Sequence, residues 1–191
     1  MHGSDDGAVA EDEIRALLLP GWLGSQPADW QGRWETPRRF ERVEQADWSL
    51  PRRGDWMSRL EEVLLSDARP AWLLAHGLGC HLVSAWAAHS QHTRRVRGAL
   101  LVAPLDLSRA DLPAPLARWS PPIRQPLPFP AQILYADDDA HASAESVRRL
   151  ARDWGAAVAG TDADGRIDGE SGAGDGPDER LWLQRLRRLG R

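Results

Sequence analysis

The sequence predicts an α/β domain built in three layers around a doubly wound, mostly parallel sheet. Three observations carry that prediction. Apolar stretches recur as continuous runs rather than alternating residues, the pattern of strands buried on both faces. Segments with helical periodicity stand between those runs, as right-handed crossovers between parallel strands require. The runs also stop abruptly at Pro, Gly or Asp, which sets turns at their C-terminal ends.

The elements follow in order. Residues 1–13 are polar and acidic with little to bury, so they read as a disordered tail, and 14–191 as a single domain. The run Ala16-Leu17-Leu18-Leu19 is a buried strand halted by Pro20-Gly21. Residues 26–35 carry Asp29 as a cap and Trp30 and Trp34 at i, i+4, a helical spacing. A weaker strand covers 40–45. From 55 to 65, Trp56, Leu60, Val63 and Leu64 share one helical face. The third strand is 70–76, Gly77-Leu78-Gly79 is its turn, and 80–89 is a buried helix. A fourth strand spans 96–103 and stops at Pro104. The Pro-rich stretch 112–130 is too broken for regular structure. Residues 131–135 form a fifth strand ending in Asp137-Asp138-Asp139, and 143–154 a helix with Val147, Leu150, Ala151 and Trp154 on one side. A short sixth strand at 156–159, a Gly/Asp-rich loop at 160–178 and a closing helix at 179–189 complete the chain.

Composition narrows the function classes. The formal net charge is −4, whereas sequence-independent nucleic-acid binding needs concentrated positive charge. Every basic charge is Arg, since the sequence contains neither Lys nor Asn, a bias that a GC-rich genome explains without function. No apolar run approaches the roughly 20 residues of a membrane span, and the N-terminus lacks the layout of a signal peptide. With Cys80 as the single cysteine, no intrachain disulfide forms, and the expected location is cytoplasmic.

The most informative segment is Ala75-His76-Gly77-Leu78-Gly79. It matches the strand-turn-helix elbow that normally reads G-x-S-x-G, or begins with another small residue, and holds a nucleophilic Ser above a parallel sheet. Gly79 permits close helix-strand packing. The central position, however, is Gly77, which has no side chain to attack a carbonyl.

With these residues the chain resembles the small serine hydrolase family of the α/β-hydrolase superfamily, typified by bacterial YdeN and the human retinoblastoma-binding serine hydrolase. The resemblance rests on Pro20-Gly21, Trp30, Gln31-Gly32-Arg33-Trp34-Glu35, Val43-Glu44-Gln45-Ala46-Asp47-Trp48, Asp55-Trp56 and the elbow. It continues through Leu101-Val102-Ala103-Pro104, Pro126-Leu127-Pro128-Phe129-Pro130 and Ser171-Gly172-Ala173-Gly174-Asp175, and so covers nearly everything from Leu17 onward. It implies a compact α/β-hydrolase fold and a Ser-Asp-His triad in that chain order. The Ser position falls on Gly77, and the acid on Asp139, with Asp137 and Asp138 as register alternatives. The His position falls on Arg166, whose permanent charge bars it from acting as a general base. The oxyanion hole falls on the N–H of Leu78 and on the loop that carries Trp22.

Other chemistries compete less well. Cys80 stands one helical turn past Gly77, where a helix dipole favours a thiolate, and His141 follows the Asp cluster. A Cys80–His141 pair is therefore a replacement mechanism to weigh against the plainer reading of Cys80 as a small buried hydrophobe. His76 should point away from the vacated side of the elbow. Asp164, Asp168, Gly169 and Asp175 partly fit a calcium loop, but Arg166 and Ser171 occupy positions that need oxygen ligands, so no metal is expected. Trp56, Trp86 and Trp154 lie on apolar helical faces and are expected in the core. Trp22 and Trp119 have two readings, lining the pocket or packing under a loop. Together the residues predict a hydrolase-family pseudoenzyme with a binding role, taking a small acyl-type ligand or a protein partner, without cofactor, nucleic acid or membrane. The alternative is an active hydrolase of small esters using another nucleophile.

Overall fold

A computed structural model describes residues 15–25, 31–32, 40–135, 143–160, 185 and 188–189. Six strands form one sheet: β1 (Arg15–Leu19), β2 (Phe40–Arg42), β3 (Ala71–His76), β4 (Val96–Val102), β5 (Ala131–Tyr135) and β6 (Ala157–Gly160), in the order β2-β1-β3-β4-β5-β6. Every adjacent pair is parallel. The helices are α1 (Arg53–Leu65), α2 (Leu78–His89), the single turn α3 (Ala114–Ala117) and α4 (Ala144–Trp154).

The continuous apolar runs are buried on both faces, as the sequence predicts. Leu17, Leu19, Leu73, Ala75, Leu101 and Ile133 point into one core, joined there by Trp56 and Leu60 of α1, Trp86 of α2, and Val147 and Trp154 of α4. The alternate residues Ala16, Leu18, Leu74, Leu100, Val102 and Leu134 form a second core across the sheet, with Leu189 packed against it. This split is the period-2 geometry of a strand applied to uniformly apolar sequence. Because β2 lies outside β1 while β3 returns to its other side, the strand order reverses between β1 and β3. That reversal opens a crevice at their C-terminal ends, where doubly wound sheets bind ligands.

Local chemistry fixes the ends of α4. Ser143 caps it by accepting a hydrogen bond at Oγ from the Ser146 N–H at 3.2 Å, and Gly155 stops it in the left-handed region at φ +65°. At the other edge of the domain, buried Arg15 donates to the Val63 and Leu64 carbonyls at 2.6 and 3.3 Å and pairs with Glu41 at 3.3 Å. It thereby satisfies the carbonyls that the end of α1 leaves open.

Several boundaries differ from the sequence reading. The second strand spans only Phe40–Arg42 and not 40–45; the Val43 N–H donating to the Leu18 carbonyl at 3.0 Å is the last bond of its parallel ladder with β1. Helix α1 begins two residues earlier than expected. Leu78 and Gly79 belong to α2 rather than to a turn: one residue, Gly77, makes the whole reversal. The Pro-rich stretch contains the turn of helix α3, started by Pro113 with Pro115 inside its first turn, where a missing N–H does no harm. The expected helix at 26–35 lies outside the described residues apart from Gln31 and Gly32, which are helical. The tail 1–13, the loop at 161–178 and most of the closing helix also lie outside them.

Candidate functional site

The candidate site is the crevice between β1 and β3. Gly77 leaves β3 at φ +54° and ψ −115°, a backbone conformation that side-chain-bearing residues rarely adopt, and α2 starts at the next residue. Its N–H donates to the Val102 carbonyl at 3.0 Å, and its own carbonyl accepts from the Cys80 N–H at 3.2 Å, so the elbow is anchored from both sides. Leu78 and Gly79 then present first-turn N–H groups that have no partner within the helix. This is the backbone geometry of a nucleophile elbow, carried by a residue that has no nucleophile.

The β1 loop closes on the elbow through two glycines. A Cβ built at Gly77 would sit 3.9 Å from the Gly21 Cα, and one at Gly21 would sit 3.1 Å from the His76 oxygen and 3.4 Å from the Leu78 nitrogen. The Gly21 backbone therefore stands beside the Leu78 N–H. The loop is tied down by the Leu23 N–H donating to the Trp48 oxygen at 3.1 Å and the Trp22 Nε1–H to the Ser49 oxygen at 3.0 Å. Trp22 is half-buried at the rim. Trp119, by contrast, packs in the core: its Nε1–H donates to the Pro51 oxygen at 2.9 Å and its ring meets Trp56 edge-on at 5.7 Å. Trp56, Trp86 and Trp154 are core residues as expected.

Among the described residues, chain neighbours aside, a Cβ at Gly77 would meet only Gly21 Cα and Leu105 Cγ within 4 Å, both at 3.9 Å. The φ of +54° still strains any side chain placed there. Gly77→Ser is therefore expected to lower stability by about 1–3 kcal/mol, measured by urea unfolding. Unchanged stability would argue against a strained elbow.

Cys80 is fully buried, and its thiol points at the Val102 and Ala75 carbonyls, 3.4 and 3.6 Å away. Burial pushes its pKa well above the ordinary thiol range, so the helix dipole does not yield a thiolate here. Cys80 is a packed side chain, the plainer of its two readings. Asp137, Asp138, Asp139, His141 and Arg166, the Asp/Gly segment at 164–175 among them, lie outside the described residues. Among the described residues no cluster of three or more His, Cys, Asp or Glu is placed to hold a metal ion. None of their helices is long and apolar enough to cross a membrane.

Two residues beside the elbow went unnoticed in the sequence. His81 is buried one turn along α2, with Nε2 at 2.7 Å from the Leu105 oxygen and its ring edge-on to Trp154 at 5.4 Å. Burial lowers its pKa to about 4, outweighing the Leu105 hydrogen bond, so the ring is neutral near pH 7. Donating to that carbonyl requires the Nε2–H tautomer. The i, i+4 spacing from Gly77 was its one sequence signal. Leu105 gave none beyond following Ala103-Pro104 at the end of β4.

A family model described as serine hydrolase matches residues 16–185. Among solved structures, the chain is similar to a putative YdeN-like hydrolase from Pectobacterium atrosepticum (24% identity, TM-score 0.76, covering 93% of this chain and 91% of that one). It is also similar to the ydeN gene product of Bacillus subtilis (17%, TM-score 0.70, 92% and 99%) and to carboxylesterase CesB of Bacillus subtilis (14%, TM-score 0.58, 94% and 84%). No curated protein matches the sequence. At these identities the solved structures speak for the fold, a single parallel sheet flanked by helices. The family model, which spans most of the chain, decides the membership: this protein belongs to the serine hydrolase family.

Proposed function

We propose that this chain is a hydrolase-family pseudoenzyme that binds a small acyl-type ligand or a protein partner at the elbow. The observation that carries the reading is Gly77: elbow backbone at φ +54°, flanked by N–H groups of Leu78 and the Gly21–Trp22 loop, without a side chain to attack. Arg166 stands at the family's His position by sequence and cannot accept a proton, and Asp139 retains the acid position. The two losses agree with each other, since either alone would stop acyl transfer. Residues 14–191 as one domain and a cytoplasmic location belong to this same reading.

The test is a fluorophosphonate probe and p-nitrophenyl ester assay on the natural chain beside Gly77→Ser/Arg166→His. The expected result is no labelling of the natural chain, with labelling and turnover raised on the order of 100-fold or more in the double variant. Turnover by the natural chain that Cys80→Ala abolishes would overturn the reading and identify a replacement nucleophile.

A further inference from the structure

Gly77 is bordered by a side chain from a different strand end. Leu105 follows β4, and its Cγ is the only side-chain atom of the described residues, chain neighbours aside, within 4 Å of a Cβ built at Gly77. Its carbonyl is held at 2.7 Å by the Nε2–H of His81, a ring that is itself buried, packed edge-on against Trp154 at 5.4 Å, and without a partner at Nδ1 among the described residues. Trp154 in turn is fixed by its Nε1–H donating to the Ile123 oxygen at 2.8 Å. A neutral buried imidazole that donates to a loop carbonyl is a rigid strut, since that bond compensates the ring for leaving water. On the far side of the crevice stands the Gly21–Trp22 loop, also tied down.

We propose that Leu105, held in place by the positioning residue His81, is the wall that sets what reaches the Gly77 position, restricting it to a small acyl- or carboxylate-sized group. This rests on the reading of the elbow as a binding site. Among the described residues, a group reaching the Gly77 position is bordered by the Gly21 Cα and the Leu105 Cγ, each 3.9 Å from a Cβ built there. A branched or aromatic acyl portion there meets Leu105, while a two-carbon one does not.

The test places a thiol at the elbow. In Gly77→Cys the thiolate attacks the sulfenyl sulfur of a methanethiosulfonate, forming a disulfide and releasing methanesulfinate, with the thiol proton going to water. The buried Cys80 makes the natural chain the unreactive control. The expected result is slow modification by the benzyl reagent and fast modification by the methyl reagent. Adding Leu105→Ala should raise the benzyl rate about 10-fold or more while the methyl rate stays within about threefold. His81→Ala should reproduce that change, and His81→Gln, which keeps an N–H donor at similar reach, should restore the selectivity. Equal rates with both reagents while Leu105 is intact, or equal gains with both in Leu105→Ala, would overturn the proposal.

Should Gly77→Cys fail to fold, the natural chain decides the question by nuclear Overhauser contacts between the Leu105 methyl protons and the Gly77 α-protons. These are expected in the natural chain and in His81→Gln and lost in His81→Ala; their absence from the natural chain overturns the proposal. Acetate titration of the Leu78 amide resonance tests the binding reading separately. A flat titration beside a selective thiol would sink that reading and leave the Leu105 wall standing.

Discussion

Gly79→Ala is expected to destabilise the domain by about 3 kcal/mol or more, measured by urea unfolding at neutral pH. A Cβ at Gly79 would lie 2.2 Å from the Leu19 oxygen, with the Leu19 carbon at 3.0 Å and the Pro20 oxygen at 3.1 Å. These are backbone atoms of β1 and its loop, so no side chain can swing aside. The first turn of α2 must instead move away from the sheet. Helix propensity works in the opposite direction, since Ala is better than Gly in a helix by about 1 kcal/mol, but contact with a carbonyl oxygen outweighs it. Because the displaced turn carries Leu78, the same variant should disturb the elbow N–H groups. A stability unchanged or raised by the substitution would mean that α2 sits farther from β1 than described.

Stability should also fall as pH drops from about 6.5 to about 4, by as much as about 3 kcal/mol, because of His81. The direction follows from where the proton binds. Burial lowers the folded-state pKa to about 4 from the ordinary 6.5, so in that window the unfolded chain takes up a proton that the folded chain refuses. The contribution is complete above pH 6.5, is lost on acidification through the window, and levels off below pH 4. Arg53 adds to the depression, while the Leu105 carbonyl and Asp106 oppose it. Urea unfolding across pH 4–7 on the natural chain and on His81→Gln separates this group from the carboxylates: the variant should lose most of the slope. An equally steep slope in His81→Gln would show that His81 is already solvated.

Much of the architecture was legible because strands buried on both faces must be apolar throughout. Residues 16–19 and 70–76 could be read as buried strands without knowing what covers them. Arg15 was the exception within such a run: a charge at a buried position is intelligible only once the carbonyls of Val63 and Leu64, nearly fifty residues away, are seen to receive it. Boundaries were less legible. Whether Leu78 and Gly79 turn or begin a helix depends on how much reversal one residue can make, and Gly77 makes it alone at φ +54°. The turn of α3 was hidden by prolines that read as breakers but sit at its start, where they are tolerated.

The same division runs through the site. The sequence by itself determined that an apolar strand runs through a small-residue turn into a helix at Ala75-His76-Gly77-Leu78-Gly79 and that the residue at the turn is a glycine, because these are facts of residue identity at a recognisable spacing. The fate of Cys80 and the neighbours of Gly77 were decided by the tertiary structure alone. A cysteine in the first turn of a helix reads first as filler and only second as a nucleophile, and burial beside the Val102 carbonyl settles its protonation. Leu105 and His81 come to the elbow from a different strand end and from one turn along the helix. Their role arises from the register of β3 against β4, which sets the β4 strand end beside Gly77, a distance in space that no local pattern encodes.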